Sequence, residues 1–283
     1  MYTITIERED GEQLKLTGDG SPYHVTYTGL GPVDADIITS SLGMVDGERY
    51  SGARVRKRNV VLMIYIKADI EENRLRLYQY LAPKSKIKLY YTNGAREVCA
   101  EGYVESNTPQ QFKAPCYNQV SIICPKSYLS AIGTIAQEIS AINDLFEFPF
   151  SIEAEGAEMS SIDSREYVNV RNAGDVPTGA IIRVFAQTAV TGANIYNAMS
   201  NEYIKVEGTL EAGDLLTINT NAGSKSITIT HSTGKTVKAL HRLADGSTWL
   251  QFAVGDNYIA YTADSGKAAM TVSIEHSDLF VGV

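Results

Sequence analysis

Along most of the chain short runs of alternating or β-rich apolar residues recur, and Gly, Asn, Asp, Ser and Pro break the runs apart. In the first half YTITI (2–6), YHVTYTGL (23–30) and NVVLMIYIK (59–67) have this form, with Gly11, Gly18, Gly20 beside Pro22, and Gly31 beside Pro32 as punctuation. A two-residue period puts one set of side chains on one face, so these stretches are predicted strands. One segment departs from the period. In ADIEENRLRLYQYLAP (68–83), Ile70, Leu75, Tyr78 and Leu81 fall near helical spacing, Asp69 is placed to cap the start, Glu71 and Glu72 sit in the first turn, and Pro83 follows the end. Acidic residues at the start and proline past the end suit a helix. Strand character then returns in KIKLYYT (86–92), REVCAEGYVES (96–106) and YNQVSIICP (117–125), with Asn93-Gly94 as a hairpin signal because the favoured two-residue turn needs positive φ.

Residues 128–145, YLSAIGTIAQEISAINDL, are mixed, with room for a short helix, and are read as an interdomain connection. Beyond them come FEFPFSIE, EYVNVRN, GAIIRVFAQ, EYIKVEG, DLLTINT, KSITITH, TWLQFAV, NYIAYTA and AAMTVSIEH, short β-like runs separated by turn residues. This spacing predicts an antiparallel sandwich or jelly roll, and no fixed period suggests a solenoid. Around the single tryptophan the pattern reads as a hairpin: TWLQFAV, a turn at Gly255-Asp256-Asn257, and YIAYTA running back. Trp249 on that hairpin is either a sheet-packing residue or a stacking platform for a sugar.

Length and composition narrow the functions. The 283 residues suffice for two domains with their own cores, and 44% hydrophobic with 20% charged residues is a globular composition. No apolar run approaches the roughly 18 residues of a membrane span, and MYTITIERED has no basic segment followed by an apolar one, so neither membrane insertion nor a signal peptide is expected. The net charge of -8 disfavours nucleic-acid binding by the whole surface. Cys99, Cys116 and Cys124 have no metal-ligand spacing and are expected to be reduced, mostly buried thiols. No G-x-S-x-G or HExxH occurs; His24, His231, His241 and His276 are scattered, and the Gly-containing GDGSPY and GLGP lead into no phosphate-binding helix. Asp34 with Asp36, and Glu153, Glu155 and Glu158, are the carboxylate groupings a glycosidase would need, in a chain rich in acids. No enzyme, cofactor or metal site is therefore expected. The densest charge feature is ARVRKRNV (53–60): Arg54, Arg56, Lys57 and Arg58 form either a solvated edge that discourages unwanted pairing or a contact surface for an acidic neighbour or passing nucleic acid.

Taken in order, NAGDVPTGAIIRVFA (172–186), LEAGDLLTINTNAGSKSITI (210–229), WLQFAVGDNYIAYTA (249–263) and the closing FVGV resemble the distal tail protein (Dit) family of long-tailed bacteriophages and prophages. YTGLGP (27–32), RKRNVVLMIYI after the DGERY turn, and SIICPKSY (121–128) add to the resemblance, with Ser127 standing where the family often has proline. The resemblance implies a mainly β protein: an N-terminal ring-forming β-barrel-like domain with one helix over 1–130, a connection over 131–145, and a C-terminal galectin-like antiparallel β-sandwich over 146–283. It implies a structural, non-enzymatic role at the virion tail tip after assembly in the bacterial cytoplasm. The expected partners are further copies of itself in a hexameric ring, the tail-tube protein, a tail-associated hub or lysin protein and receptor-binding proteins, with DNA only in transit through the lumen. The galectin sugar pattern is missing, because Trp249 is followed by leucine, and a carbohydrate-binding β-sandwich module is the alternative reading.

Overall fold

The strand RNVVLMIYI shows how the first half is built. Arg58, Val60, Leu62, Ile64 and Ile66 are buried while Asn59, Val61, Met63 and Tyr65 face outward, as the pleat dictates. This computed structural model describes residues 2–44, 46–110, 115–139, 142–144, 160–162 and 167–283. The chain divides into two units, Met1–Ile132 with Leu279–Val283, and Gly133–Asp278.

The first unit runs β1 (Thr3–Arg8), β2 (Gln13–Lys15), β3 (Tyr23–Thr28), β4 (Ala35–Ser41), β5 (Glu48–Val55), β6 (Arg58–Ile66), α1 (Ile70–Tyr80), β7 (Lys86–Thr92), β8 (Glu97–Gln110), β9 (Tyr117–Cys124) and β10 (Leu129–Ala131). Its main sheet has the order β2-β1-β7-β8-β9-β6-β3, antiparallel throughout. The sheet curls so that its β3 end reaches the β1–β7 side: the Tyr2 hydroxyl donates to the Val25 carbonyl, and the Tyr27 and Tyr91 hydroxyls lie 2.8 Å apart. Burial, with the Tyr91 hydrogen bond second, pushes the Tyr27 phenol up to about 12. Inside are Ile4, Ile6, Val25, Leu62, Ile64, Leu89 and Ile122, the barrel-like core.

The second unit contains β11 (Ile135–Ile139), β12 (Ile142–Asp144), β13 (Ser160–Ile162), β14 (Val168–Asn172), β15 (Ala180–Ala186), β16 (Val190–Asn197), β17 (Tyr203–Leu210), β18 (Leu215–Asn219), β19 (Ser226–Thr230), β20 (Thr236–Lys238), β21 (Gly255–Thr262) and β22 (Met270–His276). A six-stranded sheet, β11-β22-β15-β18-β19-β20, and a four-stranded sheet, β14-β21-β16-β17, share one core. Ile182, Val184, Ile218, Val272 and Ile274 come from the first sheet, and Val170, Ile195, Ile204 and Ile259 from the second. Both sheets hide their alternate residues between them, so this unit is an antiparallel β-sandwich.

Several expectations change. The helix forms, but it buries Asn73, Leu77 and Tyr80, leaving Ile70 and Leu75 exposed. Asn73 turns inward because the Tyr23 hydroxyl bonds to its carbonyl and side-chain oxygens, each at 3.2 Å, while its amide donates to the Ala68 carbonyl at 2.8 Å. Asp69 holds the cap position at φ 45° without a capping bond. The β7–β8 turn is shifted by one residue: Asn93 N–H donates to the Arg96 carbonyl at 3.2 Å, which leaves Gly94-Ala95 at the tip, and the Asn93 side chain accepts from Ala95 and Arg96 N–H. Within the mixed stretch, residues 129–131 and 135–139 are strands rather than helix. The run FEFPFSIE lies outside the described residues. Finally, residues 279–283, expected in the second domain, belong to the first: β23 (Leu279–Phe280) pairs with β10, which pairs with β8. Hydrogen bonding and burial of Phe280 and Val283 against the first core decide this, which no local pattern encodes.

Candidate functional site

The basic run splits into two environments. Arg54 ends near the base of the β4–β5 hairpin, a ribbon that pairs with no other strand among the described residues. Its Nε lies 3.2 Å from Asp36 Oδ2, and Arg56 Nε lies 2.5 Å from Asp36 Oδ1. The Arg56 hydrogen bond, foremost, holds the Asp36 carboxyl below its usual range. Lys57 is exposed. Arg58 is not a contact residue: it is 1% exposed, and its guanidinium donates to four main-chain oxygens, Gly29 and Gly31 at 2.7 Å, Val281 at 2.8 Å and Ser127 at 3.1 Å. The reason is register, since Arg58 is the first inward position of β6, and its planar fork suits a ring of carbonyls.

The hairpin itself is the feature that charge-based reading missed. Ile37, Ile38, Leu42, Met44 and Tyr50 are all exposed, with Ile37 at 61% and Tyr50 at 63%. A two-stranded ribbon is marginal alone in water, and both of its edges present unpaired main-chain groups. The available signal was the DGERY turn between ADIITSS and SGARV, segments without clean alternation.

Trp249, Gly255 and Asn257 do not form the predicted hairpin. Residues 248–254 run outside any strand: Thr248 N–H donates to the Tyr203 carbonyl, and Phe252 exchanges main-chain bonds with Thr178. Gly255 (φ 95°) begins β21, where Asn257 pairs with Val170. The alternation itself is kept, with Leu250 and Phe252 buried on one face, but the stretch pairs only through the isolated bridge of Phe252 with Thr178 and does not run beside β21. Trp249 is half-buried against the core, with Lys225 Nζ 5.5 Å from its ring centroid, so its ring is packed rather than presented. Asn257, 2% exposed, accepts from Ala253 N–H and donates to the Ala253 and Val170 carbonyls.

The other signature polar residues also fix the backbone. Asn172 donates to the Val176 and Phe252 carbonyls and accepts from Gly174 N–H. Thr178 donates to the Ser277 carbonyl at 2.9 Å. Buried Asp214 accepts from Glu211 N–H and faces His231 Nδ1 at 3.1 Å. Buried polar groups need partners, and these motifs supply them at turns. They encode the sandwich, not a reaction.

Other candidate chemistry is dispersed. Among the described residues no hydroxyl or thiol bonds the second ring nitrogen of His231. His276 is buried beside Phe252 with Nε2 on the Arg171 carbonyl at 3.2 Å, and His24 stacks near Tyr65 on the outer face of the first sheet. Burial pushes the Cys124 thiol up to about 11 and raises that of Cys99, so neither is a ready nucleophile. Asp36 is engaged by two arginines, and Glu153, Glu155 and Glu158 lie outside the described residues. Among the described residues no cluster of three His, Cys, Asp or Glu side chains is placed to hold a metal, and no helix is long and apolar enough to cross a membrane.

Residues 173–277 match the family described as "Siphovirus-type tail component, C-terminal domain". No curated protein matches the chain in sequence. In fold, the chain is similar to the crystal structure of the SPP1 Dit protein, described as a paradigm of the hub adsorption apparatus in phages infecting Gram-positive bacteria. The TM-score is 0.66 at 12% identity, covering 98% of this chain and 99% of that one. It is also similar to chains of the phage P2 baseplate in its activated conformation: with Ca, TM-score 0.51 at 9% identity, covering 97% and 98%; with Sr, TM-score 0.53 at 8% identity, covering the same shares. At these identities the structural likeness establishes a shared fold.

Proposed function

The chain carries the siphovirus-type tail component C-terminal domain within a fold shared end to end with a phage hub protein, and from that premise we propose that it is a structural subunit of the siphophage tail tip. Copies close into a ring, hexameric as in the distal tail family it resembles, joining the tail tube to the baseplate hub and the host-recognition device, with DNA passing through the lumen. The single observation that carries this reading is the likeness to the SPP1 Dit protein over nearly the whole of both chains. The exposed Ala35–Val55 hairpin supports it, because a closed ring needs a patch on each copy that binds a different patch on the next. Ile37, Ile38 and Met44 supply the apolar contact of that arm, and Arg54, Arg56 and Lys57 lie at its base. Binding and geometry perform the whole function, and no covalent step is required.

The test is the native mass of the purified protein by light scattering across a concentration series, alone and with the tail-tube and hub proteins of the same phage. A mass near six chains is expected. A chain that stays monomeric even with those neighbours overturns the reading.

A further inference from the structure

The root of the hairpin is held by a segment far away in sequence. The chain leaves the main sheet after β3 through Gly29–Gly31 and returns through Arg56 and Lys57 into β6. At the crossing, Arg58 binds the Gly29 and Gly31 carbonyls on the outgoing strand side, Ser127 on the β9–β10 loop, and Val281. Ser127 Oγ donates to the Arg56 carbonyl at 2.7 Å, and Arg56 N–H donates to the Asp34 carbonyl at 3.0 Å. Val283 N–H donates to the Leu30 carbonyl at 3.1 Å. Gly282 lies so close to the outgoing backbone that a Cβ there would stand 2.9 Å from the Gly31 carbonyl carbon and 3.1 Å from the Leu30 oxygen. Arg96 fastens the same segment from the other side, donating to the Gly282 carbonyl with its guanidinium 4.8 Å from the centroid of the Phe280 ring.

We infer that Leu279–Val283 is a latch on the root of the Ala35–Val55 hairpin: seated, it fixes the direction in which the arm leaves the first unit, and released, it frees the root. Among the described residues the ribbon joins no larger sheet that could orient it, so its direction is set where its root is tied. Two of the ties, the Val281–Arg58 and Val283–Leu30 hydrogen bonds, belong to this segment. The segment also follows directly on Asp278, the last residue of the second unit, whose carboxylate accepts from Ala173 N–H at 3.2 Å. No linker residue separates the anchor from the latch. That this regulates ring assembly rests on the reading of the hairpin as the assembly arm; the latch itself rests on the contacts above.

Hydrogen exchange resolved to single amides tests the latch in the full chain, in a chain lacking residues 279–283, and in that shortened chain with the free peptide LFVGV added. With the segment gone, the Arg56 amide and the paired amides of β4 and β5 are expected to exchange at least about tenfold faster, while those of β6 (Leu62, Ile64) stay protected and the peptide restores the slow rates. Unchanged hairpin rates in a shortened chain whose β6 stays protected overturn the inference. Should the deletion loosen β6 as well, Gly282→Leu, which displaces the segment by collision alone, is read by the same amides under the same rule. Native mass measured on the same samples separates the two proposals. A hairpin that loosens in a chain that never assembles leaves the latch standing and removes the ring; a hairpin that stays rigid without the segment in an assembled ring removes the latch only.

Discussion

β5 and β6 are neighbours in sequence, joined through Arg56 and Lys57, and they have opposite fates. In β5 (Glu48–Val55) every side chain except Gly52 is exposed, whereas β6 buries every second residue to 6% exposure or less. Both contain apolar and basic residues, so composition does not separate them. The number of sheet neighbours does. Among the described residues, β6 lies between β3 and β9 and has a core beneath it, while β5 pairs only with β4 and contributes no residue to either core. The arginines follow the same division: Arg54 and Arg56 are held by one exposed carboxylate, Arg58 by four carbonyls inside the unit. An identical side chain is thus a surface group on one strand and a structural post on the next.

The largest effect is expected where that post is removed. Arg58→Met should lower the unfolding free energy of the first unit by about 3–5 kcal/mol, because the carbonyls it serves lose a charge-assisted donor in a buried place. Urea denaturation followed by a first-unit probe measures this. A loss no greater than that of Arg56→Met would erase the distinction between the two arginines. In the second unit Asn257→Ala extends the same logic to a neutral group and should cost about 1–3 kcal/mol, since Ala253 N–H and the Val170 carbonyl lose their buried partner. The exposed pairs should matter far less: Arg54→Gln with Arg56→Gln is expected to change stability by about 1 kcal/mol or less. Smallest in stability is Ile38→Ser with Met44→Ser, within about 0.5 kcal/mol. The same pair should abolish the multimeric mass, and a variant that keeps its full mass would show that the hairpin is not the contact arm.

Acid titration sharpens the contrast further. Asp36 is ionised in its pair with Arg56 and titrates below its ordinary value of 3.8. The sign follows from that direction: the pair's contribution is complete above the ordinary value and disappears as pH falls through the lowered one. Carbon-13 NMR of the carboxyl should show the midpoint move up in Arg56→Gln and also in high salt, because both partners face water. A midpoint indifferent to Arg56 would break the assignment.

The alternation of Ile4 with Ile6 was legible without any coordinates, because a strand buried on one face places its apolar residues at every second position; Val60 through Ile66 was legible only as an apolar strand, and the sheet decided which of its faces turned inward. Legible too was the order of the turn motifs at Asn172, Asp214 and Asn257, whose side chains bond to main chain a few residues away or across one strand pair. Where the reading failed, a distant partner had decided. TWLQFAV alternates on paper and in burial, yet β21 takes β14 and β16 as its neighbours, and the stretch is left with one bridge, Phe252 to Thr178. The helix shows its Asn73 side to the core because Tyr23, fifty residues earlier, waits there for it. Arg58 looked like its three basic neighbours until the carbonyls of Gly29, Gly31, Ser127 and Val281 gathered around it.

Local stereochemistry and hydrophobic period therefore determined that this chain is β-rich and forms a helix between residues 68 and 83. Tertiary structure decided which apolar strand stays bare and which arginine is buried. It also returned the last five residues to the first unit, since burial and hydrogen bonding between distant segments are properties of the assembled sheets and leave no period in the sequence.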